Sequence, residues 1–164
     1  MKTGILLLAI ACVAAPAAAR RADTPQAKPL LTSIDGLPLG ELPRQQLPAN
    51  GCAAYLWSAG TTHALVAMAS ADPAQIRLSL EGRITDYPRT GQQGIGGFGF
   101  DRTTTYQGGD VTAILDMSVQ AQADLTQGAE VSTGTLTLQR PGRDTVILPV
   151  GGLIGCAATT PQGG

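Results

Sequence analysis

Ile76-Arg77-Leu78-Ser79-Leu80-Glu81-Gly82-Arg83-Ile84-Thr85-Asp86-Tyr87 is the stretch on which the fold class turns. Its apolar residues fall two apart, at Ile76, Leu78 and Leu80, with Arg77, Ser79 and Glu81 between them. Successive side chains of an extended strand point to opposite faces, so this alternation predicts one buried face and one wet face. A helix would bring residues three and four apart together instead. Gly82 interrupts the run, and Arg83 to Tyr87 reads as the next strand. Asp72-Pro73 just upstream offers a helix cap and a first-turn proline, but the period of two leaves room for one helical turn at most.

The same period recurs outward in both directions. Val111, Ala113, Leu115 and Met117 sit two apart, as do Leu136 and Leu138 between Thr135, Thr137 and Gln139. Asn50-Gly51 is a turn signal. Cys52 to Ser58 and His63 to Ser70 flank Ala59-Gly60-Thr61-Thr62 as a hairpin. Pro88-Arg89-Thr90-Gly91 and Pro141-Gly142-Arg143-Asp144 read as turns. Thr145 to Val150 and Leu153 to Cys156 make the closing strand, with Gly151-Gly152 as a bulge or bend. No stretch carries helical periodicity over three turns. The expectation is an all-β domain over residues 50–157, a small antiparallel sandwich or partly open barrel of about 8–9 short strands. Residues 119–130 fit no pattern clearly, and 158–164 read as a disordered tail.

Residues 20–49 differ in kind. Five of the ten prolines beyond residue 19 fall here, at Pro25, Pro29, Pro38, Pro43 and Pro48. Proline lacks an amide hydrogen and fixes its own φ, so neither a helix nor a central strand can form. The stretch reads as an extended arm or linker, with Leu30 to Ile34 as a short edge strand; a docking peptide is the sharper alternative. Residues 1–19 read as a signal peptide: Met1-Lys2-Thr3 is a positive start, Ile5 to Ala15 an apolar core, and Ala17-Ala18-Ala19 a cleavage site. The expected location is the periplasm or the exterior. Ala9-Ile10-Ala11-Cys12 resembles a lipobox with Ala9 where leucine is expected, so acylation of Cys12, giving an outer-membrane lipoprotein, is the minor alternative. No later run approaches the length of a membrane-spanning helix.

Beyond the leader two cysteines remain, Cys52 and Cys156. In an oxidising compartment two thiols allow one intramolecular pairing. The expectation is a structural disulfide clasping the first strand of the domain to the last. No C-x-x-C spacing depresses a thiol pKa, and zinc would need two further ligands, so neither a redox pair nor a metal site is expected.

Charged residues make up 14% of the chain and the net charge is −1. Loss of Lys2 with the leader makes it −2, too weak a field to draw in nucleic acid. His63 is the single histidine, and no G-x-S-x-G elbow presents a serine near it. Gly94-Ile95-Gly96-Gly97-Phe98-Gly99 satisfies G-x-G-x-x-G, yet the threonine-rich segment that follows favours a strand over the helix a dinucleotide requires. Asp86 with Asp101, or Asp110 with Asp116, form possible carboxylate pairs that nothing in the sequence singles out. Neither a cofactor nor a metal is implied.

All six aromatics lie between Tyr55 and Tyr106: Tyr55, Trp57, Tyr87, Phe98, Phe100 and Tyr106. With Arg89 and Arg102 beside them, Tyr87, Phe98, Phe100 and Tyr106 form a possible binding surface for a peptide, a glycan or a protein. The alternative is that the rings supply the bulk of a core otherwise rich in Ala, Val and Leu. Core is the better reading for Tyr55, Phe98 and Phe100; for Tyr87, Tyr106 and Arg89 neither leads. In size, compartment and strand content the chain resembles periplasmic lysozyme inhibitors of the β-barrel type, but it has no match to their active-loop motif, so the resemblance implies no site residues. The functional expectation is a non-catalytic envelope module, binding or structural. The alternatives are an inhibitor of a secreted hydrolase such as a lysozyme or protease, wedging with residues 89–106, and a hydrolase using His63 or a carboxylate pair.

Overall fold

The computed structural model describes residues 28–122, 125 and 127–157; the expected leader with Cys12 and the tail 158–164 lie outside the described residues. Nine strands follow in order: β1 (Leu39–Gly40), β2 (Cys52–Ser58), β3 (Leu65–Ala71), β4 (Ala74–Leu80), β5 (Arg83–Gln93), β6 (Thr103–Gly108), β7 (Val111–Gln120), β8 (Gly128–Gln139) and β9 (Val146–Cys156). From β2 to β9 each strand pairs antiparallel with the next, and β9 returns to pair with β2. The result is an eight-stranded up-and-down barrel, with β1 outside the ring against the end of β4. Among the described residues there is no helix. Closure distinguishes this arrangement from a sandwich or an open barrel, since a closed ring exposes no long edge.

Alternation decides what fills the ring. Ala54, Ala67 and Ala69 share the interior with Leu56, Ile76, Leu78, Leu115 and Leu136, all 0% exposed. Eight strands enclose a space that side chains can just fill, and small residues on β2 and β3 make room for the bulk opposite. The outer face carries Arg77, Asp86, Thr105, Thr112, Thr135 and Thr137. An apolar, filled interior is the reverse of the polar lumen of a barrel standing in lipid. Likewise, no helix of the described residues is long and apolar enough to cross a membrane.

Cys52 and Cys156 face each other in the β2–β9 register and are bonded, with an S–S length of 2.04 Å and Cα atoms 3.9 Å apart. The disulfide joins the first barrel strand to the end of the last. It sits at the end of the barrel, here called the lower end, where the long 94–102 loop also lies.

Several local expectations are corrected. Pro88 to Gly91 is not a turn but the middle of β5, which slips register between Arg89 and Gly91. Pro88 donates nothing to a ladder, and β5 pairs with β6 only from Arg89 onward. Gly151-Gly152 does not bulge: β9 runs through, and the register slip lies opposite, on β8 between Val131 and Gly134. Gly152 is required for another reason, because a Cβ there would run into the Tyr55 carbonyl. Asp72-Pro73 makes the tight β3–β4 turn rather than opening a helix. His63 precedes β3 in a turn, at φ 44°.

The Pro-rich stretch contributes to the core. No edge strand forms over 30–34. Instead Asp35 and Gly36 adopt φ 52° and 79°, and Leu37 N–H donates to the Ile34 carbonyl at 2.9 Å. Two successive left-handed residues make the primed turn that closes a tight hairpin, for which Asp-Gly is a favoured pair. This hairpin caps the upper end with Ile34 and Leu39 at 0% exposure and Leu42 at 2%. Glu81 N–H donates to the Pro38 carbonyl and the Thr62 hydroxyl to Asp35, tying the cap to two barrel turns. The chain then descends the outside of the barrel. Leu42 N–H bonds the Leu65 carbonyl, Arg77 bonds Gln45, and the Tyr55 hydroxyl bonds the Gln46 carbonyl.

One consequence of the filled interior is readable by titration. Tyr106 is 1% exposed, and burial pushes its phenol from 10.0 up to about 12, against the opposing pull of Arg89 and the nearby Thr104 hydroxyl. Below pH 10 its contribution to stability is complete. As the pH rises from about 10 through about 12 the unfolded chain ionises first, and roughly 2–3 kcal/mol is lost. The stability read from urea unfolding should therefore fall more with pH across that range in native protein than in Tyr106→Phe, where Tyr55 and Tyr87, also raised by burial, leave a smaller dependence. An identical slope in both would refute the assignment.

Candidate binding surfaces

The pleat divides the six residues expected to form one surface. Tyr87 opposes Ile76 and Tyr106 opposes Ala113, both on inward positions, and they are 6% and 1% exposed. Phe100, 3% exposed, belongs to the core at the lower end. Arg89 is half-buried beside Tyr106, while Phe98 and Arg102 are exposed. Tyr87, Tyr106 and Phe100 therefore belong to the core, and no single aromatic-arginine face joins all six. Conversely Tyr55 and Trp57 point outward, because they alternate with inward Ala54, Leu56 and Ser58.

What remains exposed of the expected surface is a small, tightly specified turn. Phe100 N–H donates to the Gly97 carbonyl at 3.0 Å, with Phe98 at φ 60° and Gly99 at φ 85° between them. The glycines here do not make the segment loose. A Cβ on Gly96 would collide with the Phe100 carbonyl, and one on Gly99 would come within 2.6 Å of the Ala71 Cβ. Ile95 stands at the tip, 96% exposed, and Phe98 is 36% exposed. A bulky residue held left-handed costs of order 1–3 kcal/mol, and such strain gathers at sites of contact.

The upper mouth carries an ion network. Arg140 reaches Glu81 and Asp110 at 3.1 Å each, joining the ends of β8, β4 and β6. Two cavities flank it. One of about 510 Å³ opens where β5 parts from β6, beside Arg83, Tyr87 and Asp110. The other, of about 770 Å³, lies between the cap and the β8–β9 turn, against Leu37, Pro38, Leu138 and Ile147.

A third region crosses the outer wall. Trp57 and His63 both line two hollows, of about 800 Å³ toward β8 and β9 and about 470 Å³ toward the descending arm. Trp57 pairs with Gly151, which has no side chain to cover the indole. Sequence reasoning passed over this region because an isolated Trp on a strand gives no local sign of which face it takes once the wall is closed.

The catalytic candidates are dispersed. Ser58 is 0% exposed, and its hydroxyl accepts the Ala64 N–H at 3.1 Å, whereas His63 is exposed on the turn. Asp86 is held by Arg77 at 2.7 Å, and Asp110 is tied to Arg140. Asp116, bonded to Thr103, lies six residues from Asp110 along β7, roughly 20 Å in an extended strand, while Asp86 lies within β5 against Arg77 and Asp101 in the lower-end loop before β6. A glycosidase pair needs about 5–9.5 Å. Gly94 to Gly99 lies between β5 and β6, with a strand and not a helix following it. Among the described residues no three His, Cys, Asp or Glu side chains gather around a possible metal. Compared with protein-family models, curated proteins and solved structures, the chain matches none.

Proposed function

We propose that this protein is an exported, non-catalytic binding module of the bacterial envelope, which grips a partner protein with the Gly94–Gly99 turn. The observation that carries the reading is an isoleucine 96% exposed near a left-handed phenylalanine, on a turn where Gly96 packs against the Phe100 carbonyl and Gly99 against the Ala71 side chain. Exposed apolar side chains on a rigid element lose little entropy when a partner covers them, so most of their burial appears as affinity. The filled interior supports the same reading, since it leaves recognition to the outside of the barrel.

Phe98→Gly separates binding from stability. Glycine adopts φ 60° without strain, a gain of up to ~1 kcal/mol that offsets the burial lost with a ring only 36% exposed, so the variant should remain folded with a urea midpoint near that of native protein. It should nonetheless lose the partner captured from the native envelope fraction, as should Ile95→Asp. Unchanged capture by both variants would end this reading. A preorganised apolar wedge also favours the hydrolase-inhibitor alternative. A panel of lysozymes and secreted proteases tests it: inhibition by native protein that disappears in Ile95→Asp is expected, and no inhibition of any member excludes it.

A further inference from the structure

We propose that the groove crossing Trp57 on the outer wall is a second binding site, for a neutral oligosaccharide. The site stands apart from the Gly94–Gly99 turn and does not depend on it. Its floor is the Trp57 indole beside Gly151 and Leu153, and Tyr55 continues the aromatic surface toward the arm. Its walls bear hydrogen-bonding groups: His63, and Glu130, which accepts from Gln122 on one oxygen. The opposite faces of a pyranose ring are patches of C–H, attracted to the negative face of an aromatic ring, while the hydroxyls project at the edge. A flat aromatic floor rimmed by a carboxylate and an imidazole meets both demands at once, because a carboxylate accepts from two hydroxyls and imidazole both donates and accepts.

Charge narrows the choice. Among the described residues the formal charges lining the two hollows are Glu41, Glu130 and Arg44, which sum to −1. That lining repels a polyanion and offers no cluster of cations for phosphate, whereas it accepts a neutral polyol. Length agrees as well. The two hollows meet at Trp57 and His63, so a linear chain of several sugars would pass across the indole instead of ending on it. The register explains how the wall comes to offer such a floor. Gly151 and Gly152 keep β9 low beside β2, and the slip on β8 between Val131 and Gly134 bends the neighbouring strand.

Trp57 is the only tryptophan, so intrinsic fluorescence reports on this groove alone. The full-length protein is titrated with chitotetraose and with cellotetraose to millimolar concentration, and an unstructured neutral peptide serves as the comparison. The expected result is a saturable change in emission with at least one sugar and none with the peptide. By calorimetry Trp57→Ala should weaken that sugar about tenfold or more while Trp57→Phe keeps most of the affinity. Ile95→Asp should bind the sugar as native protein does. Circular dichroism establishes that each variant is folded. An emission band that neither sugar moves overturns the proposal, as does a response to the peptide alone or full affinity in folded Trp57→Ala. None of these outcomes bears on partner capture by the Gly94–Gly99 turn.

Discussion

Replacing Cys52 and Cys156 together by alanine is expected to lower the free energy of unfolding by roughly 2–5 kcal/mol. The two cysteines are separated by 104 residues, so the bond closes nearly the whole described chain into one loop. In the chain-entropy account a loop of about 100 residues is worth as much as ~4.7 kcal/mol, exerted on the unfolded state. The folded barrel has little reason to change. Seven residue pairs join β2 to β9, and the closing ladder persists when the sulfurs are removed. The double variant should thus keep its far-ultraviolet spectrum while its urea midpoint falls. Its dependence on urea should steepen, since an uncrosslinked chain exposes more surface when it unfolds. Native protein treated with reductant should behave in the same way. A loss under about 1 kcal/mol would mean that the bond does not restrain the unfolded chain.

Ile34→Ala should cost about 2–5 kcal/mol, the range for truncating a fully buried isoleucine, and Leu39→Ala a similar amount. Both side chains are 0% exposed beneath the upper end of the barrel. A cavity left there cannot refill easily, because the cap is tied down by the Glu81 and Thr62 hydrogen bonds. Leu30→Ala, four residues earlier and 44% exposed, is the control and should stay within about 0.5 kcal/mol of native protein. Thermal and urea unfolding of the three variants checks the series. Equal stability for all three would reduce the arm to a linker. The comparison also separates two readings of proline-rich sequence, since a linker contributes reach and a cap contributes buried area.

The strands were legible because each carries its own signal. Ile76, Leu78 and Leu80, then Val111 to Met117, alternate in the register the barrel uses, and the hairpin of Cys52–Ser58 with His63–Ser70 was readable from its turn. The disulfide was legible by elimination. Where the reading failed, a local rule met a longer-range constraint. Pro88 to Gly91 carries turn residues but lies within β5, because pairing with β4 and β6 holds it extended. Asp35-Gly36 is a strong primed-turn signal hidden among prolines, and composition outweighed it. The candidate site was legible only in part. Phe98 is exposed, but Tyr87, Phe100 and Tyr106 were grouped with it on chain proximity, which does not say which side of a wall a ring occupies.

Alternating polarity and two well-placed cysteines were enough by themselves to determine an all-β body and the bond that clasps it. These are local or pairwise properties: a side chain two residues on points the same way wherever the strand lies, and, with Cys12 assigned to the expected leader, the remaining two thiols have one way to pair. Closure into a ring, the capping of its mouth by Ile34 and Leu39, and the sorting of six aromatics between interior and exterior belong to the tertiary structure alone. Each depends on which strand lies beside which. A ring has an inside only after its last strand meets its first, and no short window of sequence contains both.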